Sequence, residues 1–301
     1  MLQCIRAFFV KRNVLEIETP VISSAAVTDL HIDSFKTSMQ QNYYLQTSPE
    51  YAMKRLLASG FQSIFQICKV FRHEEQGPVH NPEFTMLEWY RVGFDYQQLI
   101  AEVIELLELL AQQYGLNSVI EKISYQQAFV NTVSIDPLNT TIGKCRQCCN
   151  DQQLDVPQGM SDENIDEWLD WILTQRVAPA FSKKEFTVLY DYPASQCALA
   201  TVNTEKNIAE RFEVYYGELE LANGFNELTD ADEQRERFES DNRKREKAGL
   251  EKMPVDEKFL AALEAGLPKC AGVAIGVDRL LMVLTGKSCI SEVLAFPFDR
   301  V

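Results

Sequence analysis

The chain has 301 residues with Lys+Arg 29 against Asp+Glu 44, a formal charge of −15 that argues against broad nucleic-acid affinity, because backbone binding needs many cationic contacts. An apolar fraction of 46% and a charged fraction of 24% exclude a disordered or fibrous chain and leave one large domain or two small ones. No stretch has the length of a transmembrane helix, the apolar N-terminus is interrupted by Arg6, and eight scattered cysteines suit free thiols in a reducing cytoplasm.

In chain order, Leu2 to Asn13 reads as a helix with Leu2, Ile5, Phe8 and Phe9 on one face. Val14 to Ser23 alternates like a strand, with Pro20 suiting an edge. Tyr43 to Gln46 is a short strand. In the helix that follows, Ser48 can cap, Pro49 fits the first turn and Glu50 complements the dipole. An apolar run from Ile64 to Phe71 then leads into a polar stretch with Gly77, Pro78, Asn81 and Pro82, and a strand pattern resumes from Phe84 to Tyr90. This predicts a long hairpin whose loop carries Arg72, His73, Glu74, His80, Asn81 and Glu83. Such a loop is either a solvated surface or a phosphate-and-base site, since guanidinium binds phosphate in bidentate fashion and a ring such as Phe84 stacks on a purine.

After Asp95 an apolar stripe including Leu99, Val103, Leu106 and Leu110 predicts a buried helix. Residues 118–180 are weakly patterned apart from a helix around 161–175, and suggest connecting helices. Cys145, Cys148 and Cys149 invite a zinc reading, but His31, His73 and His80 are remote in sequence and no second cysteine pair has metal spacing. Strands are predicted for Phe186 to Tyr192 and Arg211 to Tyr216. Glu220 and Glu227 flank Asn223-Gly224, read as a turn between adjacent strands, and two such carboxylates are either surface charge or hard ligands for Mg²⁺. Thr229 is expected to cap a long charged helix over Glu233 to Lys247 with a solvated face. Finally, residues 270–286 read as strand, glycine turn and helix, with Gly276 permitting close backbone approach and Arg279 in the first helical turn.

Three of these segments resemble a known family. The string VFRHEEQGPVHNPEFTMLEWY closely resembles motif 2 of class II aminoacyl-tRNA synthetases of the lysyl branch. The helix and Pro20-containing strand near the N-terminus resemble motif 1, and Gly276-Val-Asp-Arg279 resembles motif 3. The resemblance covers the chain from end to end. It implies one catalytic domain over residues 1–301, an α+β fold with an antiparallel sheet flanked by helices, and a homodimer through the motif 1 region. It also implies ATP and Mg²⁺. Arg72 and Arg279 would be catalytic, gripping the phosphates. Phe84 would stack on adenine, with backbone near His73, Glu74 and Asn81 fixing its edge and Leu221 and Gly276 completing the ATP site. Glu220 and Glu227 would hold the metal. The Pro49-Glu50 helix resembles the family segment whose glutamate binds the substrate amino group. Ser48, Pro49, Glu50, Glu88, Tyr90, Ala222 and Glu227 would therefore line the amino-acid pocket.

Two departures shape the expected substrate. The helix beginning at Leu2 leaves no segment before it for the anticodon-reading OB domain of a lysyl-tRNA synthetase, so tRNA is expected to be a poor acceptor. Ala222 and Ser48 stand where that branch usually has glycine and alanine, which reshapes a tight pocket. Both departures are similar to the synthetase paralogues that attach lysine, preferably (R)-β-lysine, to a lysine side chain of elongation factor P. That resemblance implies two steps. The amino-acid carboxylate attacks the ATP α-phosphate to give an adenylate, and a protein ε-amine then displaces AMP. The alternatives are a tRNA-charging lysyl synthetase lacking its barrel, or a regulatory paralogue without turnover. Loss of the phosphate arginines or the metal carboxylates would mark the latter, and all four are present.

Overall fold

The apolar run from Ile64 and the alternation after Pro82 do form a hairpin, Ile64–Phe71 pairing antiparallel with Glu83–Val92 so that Gln66 faces Glu88 and Val70 faces Phe84. Cys270–Gly276 adds to the other side of Glu83–Val92, with Gly272 opposite Tyr90 and Ala274 opposite Glu88. Side chains alternate across a strand, so Phe84, Glu88 and Tyr90 share one face while Leu87 and Trp89 share the other. That second face is core. The helix Leu2–Val10 lays Phe9 on it, stacked on Phe65 at 4.5 Å and edge-on to Trp89 at 5.2 Å.

The computed structural model describes residues 1–38, 42–73, 75–116 and 119–301, so the expectation for Glu74 lies outside the described residues. The chain divides into two units, one of Met1–Asp95 with Glu227–Val301 and one of Tyr96–Asn226. Each has strands, mostly antiparallel, flanked by helices, which is an α+β architecture.

In the first unit the stretch from Val14 to Ser23 is not one strand. Leu15–Glu16 pairs parallel with Ile64–Phe71, and Ile22–Ser23 joins Asn42–Leu45 and Lys36–Ser38 in a separate three-stranded sheet. Pro20 lies between the two pieces, where its missing N–H disrupts no ladder. The charged helix runs over Ala231–Lys247, and its cap is Asp230 rather than Thr229: the Asp230 carboxylate accepts from Glu233 N at 2.9 Å. The helix is not solvated all round, because Gln234, Phe238 and Arg245 are buried.

In the second unit Leu219–Asn226, Ile208–Tyr216, Phe186–Pro193 and Ile120–Ser124 lie side by side, and the helix Tyr96–Gln113 buries Leu99, Val103, Leu106 and Leu110 as expected. Asn223-Gly224 is not a turn but lies inside Leu219–Asn226; the reversal sits at Gly217, in the left-handed region with φ +57°. The weakly patterned stretch holds the strand Ile120–Ser124 and the helices Tyr125–Val133, Ile142–Asp151 and Ile165–Ile172. Cys145, Cys148 and Cys149 are buried in that unit's apolar core beside Phe129, Trp168 and Ile172. Among the described residues no group of three or more His, Cys, Asp or Glu is arranged to hold a metal. No helix there is long and apolar enough to cross a membrane.

The Phe9 contact gives a stability prediction. Phe9→Ala should cost about 3–5 kcal/mol, read as a lower midpoint in chemical denaturation, because a wholly buried ring is lost from between Phe65 and Trp89. An unchanged midpoint would mean that this helix does not belong to the core.

Candidate active site

The polar face of Glu83–Val92 carries a buried carboxylate. Glu88 is 2% exposed and accepts from the Ser48 hydroxyl at 2.6 Å and the Tyr90 hydroxyl at 2.7 Å. Ser48 also accepts from Glu50 N at 3.0 Å, which starts the helix Glu50–Ala58 with Pro49 at its N-terminal boundary. One hydroxyl thus links the helix start to the strand, while the cap position itself is Pro49, without a side-chain cap bond, and not Ser48 as expected. Burial pushes the Glu88 carboxyl up to about 8; Glu50 and Glu227 add to this, and the two hydroxyls oppose it.

Beneath Glu50 lies Lys54, which sequence reasoning missed. Its ammonium is fully buried, 2.6 Å from Glu50 Oε1 and 2.5 Å from Glu227 Oε2. Burial works against the charged amine, yet Glu227 and Glu50 outweigh it and hold its pKa above the usual lysine value. Glu227 is itself raised to about 7 by burial, with Lys54 opposing. Its backbone N–H donates to the Cys270 carbonyl at 3.0 Å. The only signal for Lys54 was its place in the Pro-Glu-x-x-x-Lys string, four residues after Glu50 and therefore on the same helix face. Gly272 was missed as well. A Cβ there would overlap the Tyr90 ring and Glu227 Oε1, so the strand must present bare backbone where these groups meet. Gly276, singled out from the sequence, has an ordinary φ of −72° at the start of the helix Val277–Thr285.

The arginines lie in the same unit. The Arg72 guanidinium sits over the Phe84 ring, 5.3 Å from its centroid, and pairs with Glu75 at 3.3 Å. Arg279, in the first turn of Val277–Thr285, donates from Nε to the Val79 carbonyl at 3.1 Å. Both reach His80: burial lowers its pKa first, Arg279 and Arg72 lower it further, and Glu75 opposes. Two guanidinium groups thus converge on one loop beside an aromatic ring, which fits a triphosphate and a base. One expected backbone contact, at His73, is already taken, and the Asn81 side chain is engaged locally. His73 N donates to the Asp33 carbonyl at 2.8 Å, and Asn81 donates to the Glu83 carbonyl at 2.6 Å while accepting from Phe298 N at 2.9 Å.

In the second unit the ladder between Ile208–Tyr216 and Leu219–Asn226 slips by one residue, Val214 facing Ala222 but Tyr215 facing Glu220, so Leu221 is bulged out. The slip rephases the strand and puts Glu220 on the face of Arg211, Glu213, Tyr215 and Asn223. Glu213 is buried there, accepting from Tyr192 at 2.5 Å and from Tyr215 and Arg211. The carboxylate that shares a face with Glu220 is therefore Glu213, which sequence reasoning missed. The misplaced turn at Asn223-Gly224 hid it, together with the true reversal at Gly217.

Two predictions arise from the pocket. Gly272→Ala should abolish amino-acid-dependent activity while leaving far-UV circular dichroism native, and an active variant would contradict the close approach. Glu88, protonated more readily when folded, contributes stability that is fully present below about pH 4.5 and lost as pH rises through about 8. Glu88→Gln should therefore flatten the fall in urea midpoint between those limits, and an unchanged slope would contradict the assignment.

Against this geometry, comparisons with known proteins are consistent. The family model for tRNA synthetases class II (D, K and N) matches residues 1–300. The chain is 50% identical over 305 residues to the elongation factor P–(R)-beta-lysine ligase of Klebsiella pneumoniae subsp. pneumoniae, covering 98% of this chain and 92% of that protein. It is 49% identical to the protein of the same name from Salmonella paratyphi B, with the same coverage. This chain belongs to the class II tRNA synthetase family.

Proposed function

We propose that this chain is an ATP-dependent ligase that activates (R)-β-lysine, or lysine, as an adenylate and transfers it to a lysine side chain of elongation factor P. The observation that carries the reading is the buried Lys54 ammonium paired with Glu50 and Glu227, with the buried Glu88 carboxyl close enough to feel both, in the unit that also holds the Arg72–Phe84 pair and Arg279. Such a pocket suits a substrate with two amino groups, and relatives about half identical are named for that substrate and acceptor.

In this reading Glu50, Glu88 and Glu227 receive the amines, with Ser48 and Tyr90 fixing the Glu88 carboxylate; Pro49 sets the helix start, and Ala222 is assigned to the pocket from the sequence. Phe84 stacks on adenine. Arg72 and Arg279 offset phosphate charge as the amino-acid carboxylate attacks the α-phosphorus and pyrophosphate leaves. His73, Asn81 and Gly276 contribute through backbone that shapes the nucleotide site, and Glu74 and Leu221 are assigned there from the sequence. The protein ε-amine then attacks the acyl carbon and AMP departs.

For Mg²⁺ the hard oxygen donor is Glu220, on the sheet face it shares with Glu213, whose own oxygens accept from Arg211, Tyr192 and Tyr215. When bound, the ion would neutralise phosphate charge. Glu227, expected as the second metal ligand, pairs through Oε2 with Lys54, and in this proposal its place is the amine site. A homodimer through the motif 1 region is part of the reading, supported by the exposed Leu2, Val10 and Leu15. So are a single catalytic domain, a cytoplasmic location and no tRNA substrate.

The test is an acceptor competition with ATP, Mg²⁺ and (R)-β-lysine or lysine, offering elongation factor P and tRNA in parallel. A mass gain of one lysyl unit on the protein with uncharged tRNA is expected; charged tRNA beside unmodified protein would overturn the proposal. Arg279→Ala should abolish pyrophosphate exchange without unfolding the chain, and surviving exchange would remove Arg279 from the phosphate site.

A further inference from the structure

We propose that Arg245 is a positioning residue for the nucleotide site: it holds the Asp33 segment, and that segment fixes the His73 end of the strand that carries Arg72. Arg245 is 1% exposed although it lies near the end of a strongly charged helix, Ala231–Lys247. A guanidinium is that deeply buried only where its donors are met. Here Nε donates to the Glu251 carbonyl at 2.9 Å, one terminal nitrogen to the Asp29 carbonyl at 2.8 Å and the other to Asp33 Oδ1 at 3.0 Å. Three donors at fixed angles thus hold two turns of chain that are remote in sequence, a task the planar fork of arginine suits and a single ammonium does not.

Asp33 is where the grip reaches the site. While its carboxylate takes Arg245, its carbonyl accepts from His73 N at 2.8 Å, an isolated antiparallel bridge beyond the end of the Ile64–Phe71 strand. Phe35, two residues on, packs edge-on against the His73 ring at 5.1 Å. Lys36 pairs with Glu251 at 3.0 Å, tying the same segment to the chain just after the charged helix. Arg72 precedes His73 directly, and its own N–H donates to the Pro82 carbonyl at 2.9 Å. The backbone at the phosphate arginine is therefore held from two sides, by the returning strand at Pro82 and by the Arg245–Asp33 link. Removing the link frees one side. Small displacements of a binding group are costly, so the effect falls on the nucleotide and not on the amino-acid pocket, whose groups Arg245 does not contact.

The inference rests on the reading of Arg72 as the ATP arginine, and the test separates the two. Equilibrium binding of ATP with Mg²⁺, without amino acid, is measured for wild type, Arg245→Met, Asp33→Asn and the double variant, alongside pyrophosphate exchange and thermal melting. Arg245→Met is expected to weaken ATP binding roughly ten- to hundredfold while leaving the KM for lysine or (R)-β-lysine unchanged. Asp33→Asn should act in the same direction, and the double variant should be no worse than Arg245→Met alone. Asp33→Asn keeps both carbonyl contacts of Arg245, so it reads the link even if Arg245→Met does not fold. Unchanged ATP affinity with only a lower melting temperature, or equal loss for both substrates, would reduce Arg245 to a structural clamp. If wild type binds ATP and the variants weaken it but no exchange occurs, the ligase reading fails while the positioning role stands. No ATP binding by wild type would overturn both.

Discussion

The ammonium of Lys54 is the interaction on which the proposed pocket depends. It is buried with Glu50 and Glu227 close on either side, and Glu88 adds a third carboxyl nearby. Carboxyls this close repel one another, and burial pushes both Glu88 and Glu227 toward the protonated form. Lys54 supplies one positive charge, and protonation of Glu88 near neutral pH removes a further negative one. What is left is a pocket still short of cations, which is the state in which a substrate bearing two amines gains most from entering. Stability and recognition are therefore opposed here: the groups that would bind a substrate are those whose burial costs the empty protein most.

The sheet makes that arrangement possible. Glu88 and Tyr90 lie on the central strand of their unit, flanked by Gln66 and Ile64 on one side and Ala274 and Gly272 on the other. Alternation sends Trp89 and Leu87 into the core and leaves the polar groups on the opposite face, so the same strand is both the rigid floor of the pocket and part of the apolar core. Gly272 lets Tyr90 and Glu227 meet, and the serine hydroxyl at position 48 joins the helix start to the strand carboxylate. Ser48 is one of the two positions, expected in the pocket, at which the sequence departs from its resemblance to the lysyl branch, and in the structure its hydroxyl bonds the Glu88 carboxyl and Glu50 N.

Much of this was legible in the sequence because period and punctuation agreed. The hairpin from Ile64, the helix after Asp95 and the strand–helix pair ending in Arg279 carry long apolar patterns that local chemistry does not contradict. The misreadings came where a local signal was stronger than the tertiary one. Asn-Gly is a strong hairpin signal, yet Asn223-Gly224 lies within a strand because Asn223 faces Glu213 across the ladder, and the reversal falls to Gly217. Thr229 and Asp230 both suit a cap, and sequence alone does not choose between neighbours. Lys54, Glu213 and Arg245 were overlooked because charged residues are usually solvated, and only a fold shows which of them are buried. The bulge at Leu221 has no sequence signature, yet it decides which carboxylate Glu220 accompanies.

The central claim, that the carboxylates around Lys54 recognise a diamino acid, is tested most directly by pyrophosphate exchange with lysine beside norleucine, which keeps the carbon chain but lacks the side-chain amine. The account predicts exchange with lysine and a loss of roughly 10⁴-fold or more with norleucine, since the buried carboxylates would be left without a partner. Comparable exchange with both would contradict it and place recognition elsewhere.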